Sequence, residues 1–154
     1  MIAVDYARYK GLLRLKKVKD EGKETKRYIF GAIRKKWLIL QPEELVRQLV
    51  IHYFIEEKGY SINSISVEKG IKVNELSRRC DILVYDKNTQ PFLLVECKAP
   101  QVDITDDVFE QIAAYNLPLQ VKFLMVTNGV KTYCCEMNYE EKSWRFLDAI
   151  PLEN

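Results

Sequence analysis

Two apolar segments joined by a short polar turn constrain the fold of this chain more than any other feature. The segments are "CDILVYD" and "PFLLVECK", and the turn between them is "KNTQ". Apolar runs of this length predict strands, and the short turn predicts that the two strands pair as an antiparallel hairpin. Because both runs are nearly continuous in apolar residues, we expect the strands to be buried.

Helices and further strands flank this hairpin. A helix is predicted over residues 42–58, since Pro42 suits a first helical position and Gly59 a stop. A second helix is predicted over 105–117, with Thr105 as its N-cap and Pro118 at its end. The other strand-like segments are "SINSISVEKGIKV", interrupted at Gly70, then "VKFLMVTNG", and a hairpin of "TYCCEM" and "SWRFL". This order predicts one α/β domain over residues 1–154, with helices flanking a central mixed β-sheet.

Charge divides the chain into a basic N-terminal part and an acidic remainder. Residues 1–36 carry twelve Lys and Arg against four Asp and Glu, whereas residues 37–154 carry twelve against eighteen. We interpret residues 1–36 as a basic N-terminal extension that forms a β-hairpin, and residues 37–154 as the core. Such an extension is either an electrostatic footprint for nucleic acid or a solvated arm, and charge alone favours the arm.

Several functional classes are disfavoured by composition. No segment approaches the roughly 18 consecutive apolar residues of a membrane span, and the N-terminus lacks an apolar signal core. We therefore expect a cytoplasmic protein without a membrane partner. None of the four cysteines forms a C-x-x-C pair, which disfavours a zinc site and indicates reduced thiols.

Charged residues at the ends of the hairpin strands are candidates for catalysis. The start of the first strand lies beside the end of the second, which brings Asp81 next to Glu96 and Lys98 at one edge of the sheet. Side chains alternate along a strand, so Glu96 and Lys98 share a face while Cys97 points to the other. Two carboxylates suit Mg²⁺, and a nearby lysine can stabilise developing negative charge. The alternative is an edge-strand Glu–Lys ion pair without a catalytic role.

Further polar residues surround this candidate site. Gln111 and Tyr115 are four residues apart and share one face of the second helix, although each is also typical of a solvent-exposed helix surface. Arg78 and Arg79 precede the site and are candidates for phosphate contacts. Two residues of the first helix could reach DNA, although we favour a position on its solvated face: Arg47 and Gln48.

These motifs resemble a known superfamily of nucleases. Asp81 followed by Glu96-x-Lys98 resembles the PD-(D/E)xK nuclease superfamily, and Gln111-xxx-Tyr115 resembles the Q-xxx-Y motif of its RecB-like branch. Over residues 37–129 the chain is similar to the N-terminal nuclease domain of type I restriction endonuclease R subunits. The segments that carry this resemblance are "LQPEELVRQ", "RRCDILVYD", "LLVECKAP", "QIAAYN" and "VTNG".

The resemblance implies a restriction-endonuclease-like core and a role for each motif residue. It implies that Asp81 and Glu96 bind Mg²⁺, for which Mn²⁺ can substitute, and that Lys98 is catalytic. It further implies that Glu44 of the first helix completes the metal site. The Q-xxx-Y pair is implied to position the active site or to contact DNA.

Two features depart from the family pattern. Cys80 stands where the superfamily often has proline, and the sequence contains no G-x-x-x-x-G-K-[ST] motif. We therefore expect a nuclease-like domain without a motor of its own.

Two other acids rank below Glu44 as additional metal ligands: Glu68 and Glu75.

The leading hypothesis is a Mg²⁺-dependent endonuclease domain that hydrolyses phosphodiester bonds in DNA. The alternative is a catalytically silent nucleic-acid-binding or assembly module with the same fold. The implied partners are DNA and, on other chains, motor, specificity or modification subunits, with a homodimer as a further possibility.

Overall fold

Nine strands and two α-helices are present in the computed structural model, which describes residues 1–152. The strands are β1 (Leu15–Val18), β2 (Lys26–Phe30), β3 (Trp37–Ile39), β4 (Ile65–Val73), β5 (Leu76–Tyr85), β6 (Pro91–Cys97), β7 (Phe123–Thr127), β8 (Thr132–Asn138) and β9 (Ser143–Phe146). The helices are α1 (Pro42–Glu56) and α2 (Asp106–Asn116). Short 3-10 helices cover Tyr6–Leu12, Ile62–Ser64 and Leu117–Leu119.

The central sheet contains six strands in the order β4-β5-β6-β7-β8-β9. Neighbouring strands are antiparallel except for β6 and β7, which are parallel and are connected through α2. A parallel pair requires such a crossover connection, whereas the other pairs are joined by hairpins. The predicted α/β fold with a central mixed sheet is therefore confirmed.

The predicted hairpin of β5 and β6 lies in the interior of this sheet. Ile82 pairs with Val95 and Leu83 with Leu94, so the two apolar segments are antiparallel as expected. Because β7 pairs with the other side of β6, neither hairpin strand lies at an edge of the sheet. The expected position of the site at a sheet edge is corrected to the end of two interior strands.

The two helices cover opposite faces of the central sheet. Val50 and Phe54 of α1 are fully buried in the cluster that contains Ile82 and Val95. On the other face, α2 contributes Phe109 and Ala113 to the cluster that contains Leu83 and Leu94. Alternate residues of β5 and β6 are therefore buried on both sides, which explains why these strands are almost uninterrupted in apolar residues.

The helix boundaries follow local signals in the sequence. Pro42 begins α1, and Gly59, with a φ of +68°, follows its end. Thr105 caps α2, since its hydroxyl oxygen accepts a hydrogen bond from the Val108 backbone N–H at 3.2 Å. Pro118 lies in the 3-10 turn after α2. Both helices match the prediction apart from one or two terminal residues.

The N-terminal residues form a second sheet that belongs to the same folded unit. The structure contains the expected hairpin of β1 and β2, and β3 extends it to three strands. Tyr6 and Tyr9 are buried against Tyr53 of α1, with ring centroids 5.6 and 6.2 Å away. Ile29 of β2 is fully buried.

Strand β4 continues through Gly70, so the predicted interruption at this glycine is wrong. Gly70 pairs with Arg79 in the ordinary antiparallel register. The irregularity lies two residues earlier at Glu68, which has a φ of +46°. Glu68 turns its side chain toward α1 there, and this tertiary contact is not visible in a strand pattern.

A glycine in the turn between β7 and β8 is required by its backbone conformation. Gly129 has a φ of +85°, and a Cβ there would lie 3.3 Å from Val46 Cγ2. We expect Gly129→Ala to lower the free energy of unfolding by about 1–2 kcal/mol, because alanine is strained in this region of φ/ψ space. Gly70→Ala is the control, since no atom lies within 4 Å of its added Cβ. Equal denaturation midpoints for the two variants would contradict this role of Gly129.

No helix within residues 1–152 is long and apolar enough to span a membrane. All four cysteines are buried free thiols.

Candidate active site

The candidate site lies where β5 begins its central segment and β6 ends. Ile82 pairs with Val95 in the antiparallel register. Asp81 precedes Ile82 and Glu96 follows Val95, so the two acids lie opposite each other on neighbouring strands. Asp81 Oδ2 accepts a hydrogen bond from the Cys97 backbone N–H at 2.7 Å. This bond fixes the Asp81 carboxylate against β6 and brings it beside Glu96.

The two carboxyl groups interact directly. Burial, the charge of Asp81 and a hydrogen bond with Asp81 together raise the pKa of Glu96 to about 7, with burial the largest cause. Two carboxylates this close disfavour ionisation of both, so one proton is retained near neutral pH. A cation placed between them would relieve the same repulsion.

Lys98 follows the last residue of β6 and is half-buried. Its backbone N–H donates to the Thr127 carbonyl oxygen at 2.8 Å, so it is still held by the parallel partner strand. Its positive charge lowers the pKa of Glu96. Cys97 is buried in the core on the α1 side, and burial raises the pKa of its thiol well above the ordinary value. The predicted alternation of Glu96, Cys97 and Lys98 is thus present.

Buried hydroxyl groups fix the end of β7 that holds Lys98. Tyr6 Oη lies 3.0 Å from Thr132 Oγ1, which lies 2.8 Å from Thr127 Oγ1. Burial raises the pKa of the Tyr6 hydroxyl above its ordinary value, so it stays neutral and can act as a donor. The N-terminal 3-10 helix therefore supports the strand end beside the site.

Arg47 of α1 contacts the acidic residues of the site. Its guanidinium lies 3.3 Å from Asp81 Oδ1, 3.0 Å from Glu68 Oε1 and 3.5 Å from Glu44 Oε1. Only 6% of Arg47 is exposed, so the expectation of a solvated helix face is wrong. Its Nε is a buried donor without a partner among the described residues. Three carboxylates compensate the desolvation of this cation, which explains how the side chain can be buried.

Gln48 is buried as well, which corrects the same expectation. Its side-chain nitrogen donates to Glu44 Oε2 at 3.1 Å, and its oxygen accepts from the Ala32 backbone N–H at 3.1 Å. Gln48 therefore orients Glu44, and its hydrogen bond with Ala32 connects the turn between β2 and β3 to α1.

Glu68 is held by two arginines. Hydrogen bonds from Arg47 and Arg34 lower its pKa to about 2. The Arg34–Glu68 ion pair connects the β2–β3 turn to β4. Glu75, the other lower-ranked acid, is exposed in the turn between β4 and β5.

Three of the four candidate DNA-contacting residues lie on the α2 side: Arg78, Gln111 and Tyr115. The Arg78 guanidinium stacks over the exposed Tyr115 ring at 4.1 Å, which connects the β4–β5 hairpin to α2. Arg79 donates to the Glu68 carbonyl oxygen at 3.2 Å, and Gln111 is exposed. Within residues 1–152, neither Gln111 nor Tyr115 forms a hydrogen bond with the acidic residues, so their role at the site stays a prediction.

The donor set fits a hard cation that keeps most of its waters. Asp81 and Glu96 supply carboxylate oxygens, and burial raises the pKa values of the neighbouring Cys80 and Cys97, which favours thiols over thiolate ligands. No group of three His, Cys, Asp or Glu side chains able to hold a metal ion occurs in the described residues. Mg²⁺ usually binds through one or two carboxylates, so a two-carboxylate site is sufficient. Glu44 is engaged by Arg47 and Gln48, and its role as a third ligand stays a prediction.

A local sequence signal existed for only some of these contacts. Arg47 and Gln48 lie three and four residues after Glu44, so they share a helix face with it. That spacing places all three side chains on one side of α1, but it does not show that this side is buried. Nothing in the local pattern connects Arg34 to Glu68, because this contact depends on how the N-terminal sheet packs.

One protein family matches most of the chain. A family model described as "Type I restriction enzyme R protein N terminus (HSDR_N)" matches residues 42–151. The matched segment runs from α1 through β9 and includes Asp81, Glu96 and Lys98, whereas the three-stranded N-terminal sheet lies outside it. No curated protein matches the chain significantly.

Proposed function

The chain belongs to the family of type I restriction enzyme R protein N-termini, which makes it a nuclease-like domain, and we propose that it is a metal-dependent endonuclease acting on DNA. The observation that carries this proposal is the pair of interacting carboxyl groups, Asp81 and Glu96, with Lys98 on the same strand as Glu96. The two acids can bind a divalent cation and the lysine can stabilise negative charge, and phosphodiester hydrolysis uses both functions.

In the proposed reaction, Asp81 and Glu96 would hold Mg²⁺ or Mn²⁺. When bound, such an ion acts as a Lewis acid that polarises a phosphoryl oxygen and makes a nearby water more acidic. The Cys97 N–H keeps the Asp81 carboxylate beside Glu96, while the ion would compete with Arg47 for Asp81 Oδ1.

Lys98 is the proposed catalytic cation. A fixed positive charge next to the reacting phosphate stabilises the negative charge that develops on its oxygens during attack. The hydrogen bond from Lys98 N to Thr127 restrains the backbone from which this side chain projects. The half-buried position limits competition by solvent for that charge.

Arg47 is a proposed positioning residue. It compensates the charge of Asp81 and Glu68 when no cation is bound, which keeps the acids from repelling one another. DNA would approach past Arg78, Arg79, Gln111 and Tyr115, which we propose as phosphate and sugar contacts. Motor, specificity or modification subunits on other chains are proposed partners that would direct cleavage.

Asp81→Asn should weaken Mn²⁺ binding at least about 10-fold, because it removes a charged ligand while keeping the shape of the side chain. Isothermal calorimetry with Mn²⁺ is the measurement. Glu136→Gln is the matched control, since Glu136 forms an exposed ion pair with Arg145 and pairs in register with Phe123 at the opposite end of β7. Equal Mn²⁺ affinity for wild type and Asp81→Asn would rule out this ligand assignment.

One observation favours a second function, that of a catalytically silent nucleic-acid-binding or assembly module. The Arg47 guanidinium already neutralises Asp81 without any metal ion. If the Arg47–Asp81 ion pair excludes a metal ion, the domain could still bind nucleic acid or a partner but could not catalyse hydrolysis. Tight DNA binding without cleavage in Mg²⁺ or Mn²⁺ would favour it.

A further inference from the structure

We propose that the outward face of the N-terminal sheet binds the phosphodiester backbone of the DNA that enters the candidate active site. The identity of the polyanion rests on the proposed function, while the surface itself follows from contacts in residues 1–40. These residues lie outside the segment that the family model matches.

The two faces of this sheet differ in their environment. Ile29 and Leu38 pair with each other and point inward, where Ile29 is fully buried. The neighbouring pairs, Tyr28 with Ile39 and Phe30 with Trp37, point the other way because side chains alternate along strands. We call this second side the outer face, and its members are Arg14, Lys16, Val18, Lys26, Tyr28, Phe30, Trp37 and Ile39.

Two cations on the outer face are held over aromatic rings. The Arg14 guanidinium lies 4.4 Å from the centre of Phe30 and 5.5 Å from that of Trp37. Lys16 Nζ lies 4.4 Å from the centre of Trp37 and 5.6 Å from that of Tyr28. Both basic residues are exposed, and neither forms an ion pair within the described residues. Stacking restricts their rotamers, so less conformational entropy is lost when they bind an anion.

The charge of this region is complementary to DNA. Residues 1–36 carry twelve Lys and Arg against four Asp and Glu, whereas the remainder of the chain has an excess of acids. The three rings are half-buried beneath their cations, so the exposed apolar area of the outer face comes mainly from Ile39 and Val18 near its margins, while Arg14 and Lys16 are exposed over the rings. A polyanion with regularly spaced phosphates fits such a surface better than an apolar protein partner does.

The sheet is attached directly to the candidate site. The Ala32 N–H donates to Gln48, which contacts Glu44, and Arg34 pairs with Glu68 beside Arg47. The turn over residues 31–36 therefore places one end of the N-terminal sheet next to the candidate site. Lys35 and Lys36 are exposed in this turn, so basic side chains continue from the outer face toward the acids. DNA bound on the outer face would reach the site along this path.

The experiment is a titration of a fluorescein-labelled DNA duplex followed by fluorescence anisotropy without divalent metal, over about 0.05–0.2 M salt. We expect Arg14→Gln with Lys16→Gln to reduce the slope of log affinity against log salt by about 2, since each phosphate contact contributes about 0.9. Affinity at 0.1 M salt should fall roughly 10- to 100-fold.

A matched double variant controls for the loss of net charge. Lys87→Gln with Lys122→Gln removes two exposed lysines at the other end of the central sheet, and Lys122 also stacks on an aromatic ring, 5.1 Å from the centre of Phe123. This control should change the slope by less than about 0.5. Equal slope changes in the two double variants would overturn the proposal. Unchanged DNA affinity with lost binding to anionic phospholipid vesicles would also overturn it, in favour of a lipid surface.

The outcome is separable from the nuclease proposal. A wild-type protein that binds DNA through Arg14 and Lys16 but never cleaves it would support the outer face while removing the nuclease function. A wild-type protein that cleaves DNA, with cleavage and binding unaffected by the double variant, would overturn the outer face alone.

Discussion

Lys98→Ala is expected to lower the single-turnover rate of DNA cleavage by roughly 10²–10³, the usual cost of removing one well-placed electrostatic group. The reason is that its charge acts at the site, as its effect on the pKa of Glu96 indicates. The measurement is the rate of plasmid cleavage under enzyme excess in Mg²⁺. DNA affinity should change far less, because many phosphate contacts share it.

Two controls separate catalysis from folding in this experiment. Truncation of a half-buried lysine at a strand end should leave the midpoint of urea unfolding nearly unchanged, since it creates no core cavity. Lys87→Ala, in the turn at the other end of β5 and β6, should cleave DNA at the wild-type rate. A Lys98→Ala protein that cleaves as fast as Lys87→Ala would show that Lys98 has no catalytic role.

Arg47→Met is expected to lower the free energy of unfolding by about 3 kcal/mol in the absence of divalent metal. Removing one partner of a buried ionic cluster leaves the others uncompensated, here the carboxylates of Glu44, Asp81 and Glu68. We expect the low end of the range for breaking a buried ion pair, because the side chains of these carboxylates remain 12%, 18% and 33% exposed. Urea denaturation of the chelator-treated protein measures this difference.

The matched control for Arg47 is Arg145→Met. Arg145 pairs with Glu136 on the surface with 73% of its side chain exposed, so its loss should cost under about 1 kcal/mol. Mn²⁺ should raise the melting temperature of Arg47→Met more than that of wild type, because the ion no longer competes with a guanidinium for Asp81. Equal destabilisation by the two substitutions, or an equal Mn²⁺ effect on wild type and Arg47→Met, would contradict the positioning role.

The elements with strong local signals were predictable from sequence. The apolar runs around "KNTQ" determined the β5–β6 hairpin and, through strand alternation, the proximity of Asp81 to Glu96. Thr105 and Pro42 marked helix starts because capping and first-turn preferences act within a few residues. The signal was local in each case, and the tertiary structure agreed with it.

Features that depend on packing between distant segments were not predictable in this way. The pattern of α1 alone gives no reason to bury Arg47, because two of its three compensating acids come from β4 and β5. The positive φ of Glu68 arises where β4 presents this acid to α1, and the sequence instead suggested a break at Gly70. The third strand of the N-terminal sheet depends on the docking of residues 31–36 onto Gln48, which no local periodicity reports.

Cleavage of supercoiled plasmid by wild type and Glu96→Gln, each in Mn²⁺ and in EDTA, tests the proposed function most directly. Glu96→Gln keeps the shape of a side chain that is close enough to Asp81 to hydrogen-bond with it, while removing the charge that a cation requires. If these acids form the active site, the wild-type protein in Mn²⁺ nicks the plasmid. The wild-type protein in EDTA and Glu96→Gln in either solution leave it supercoiled. Cleavage that survives Glu96→Gln, or wild-type protein that binds the plasmid in Mn²⁺ yet leaves it supercoiled, would contradict the assignment.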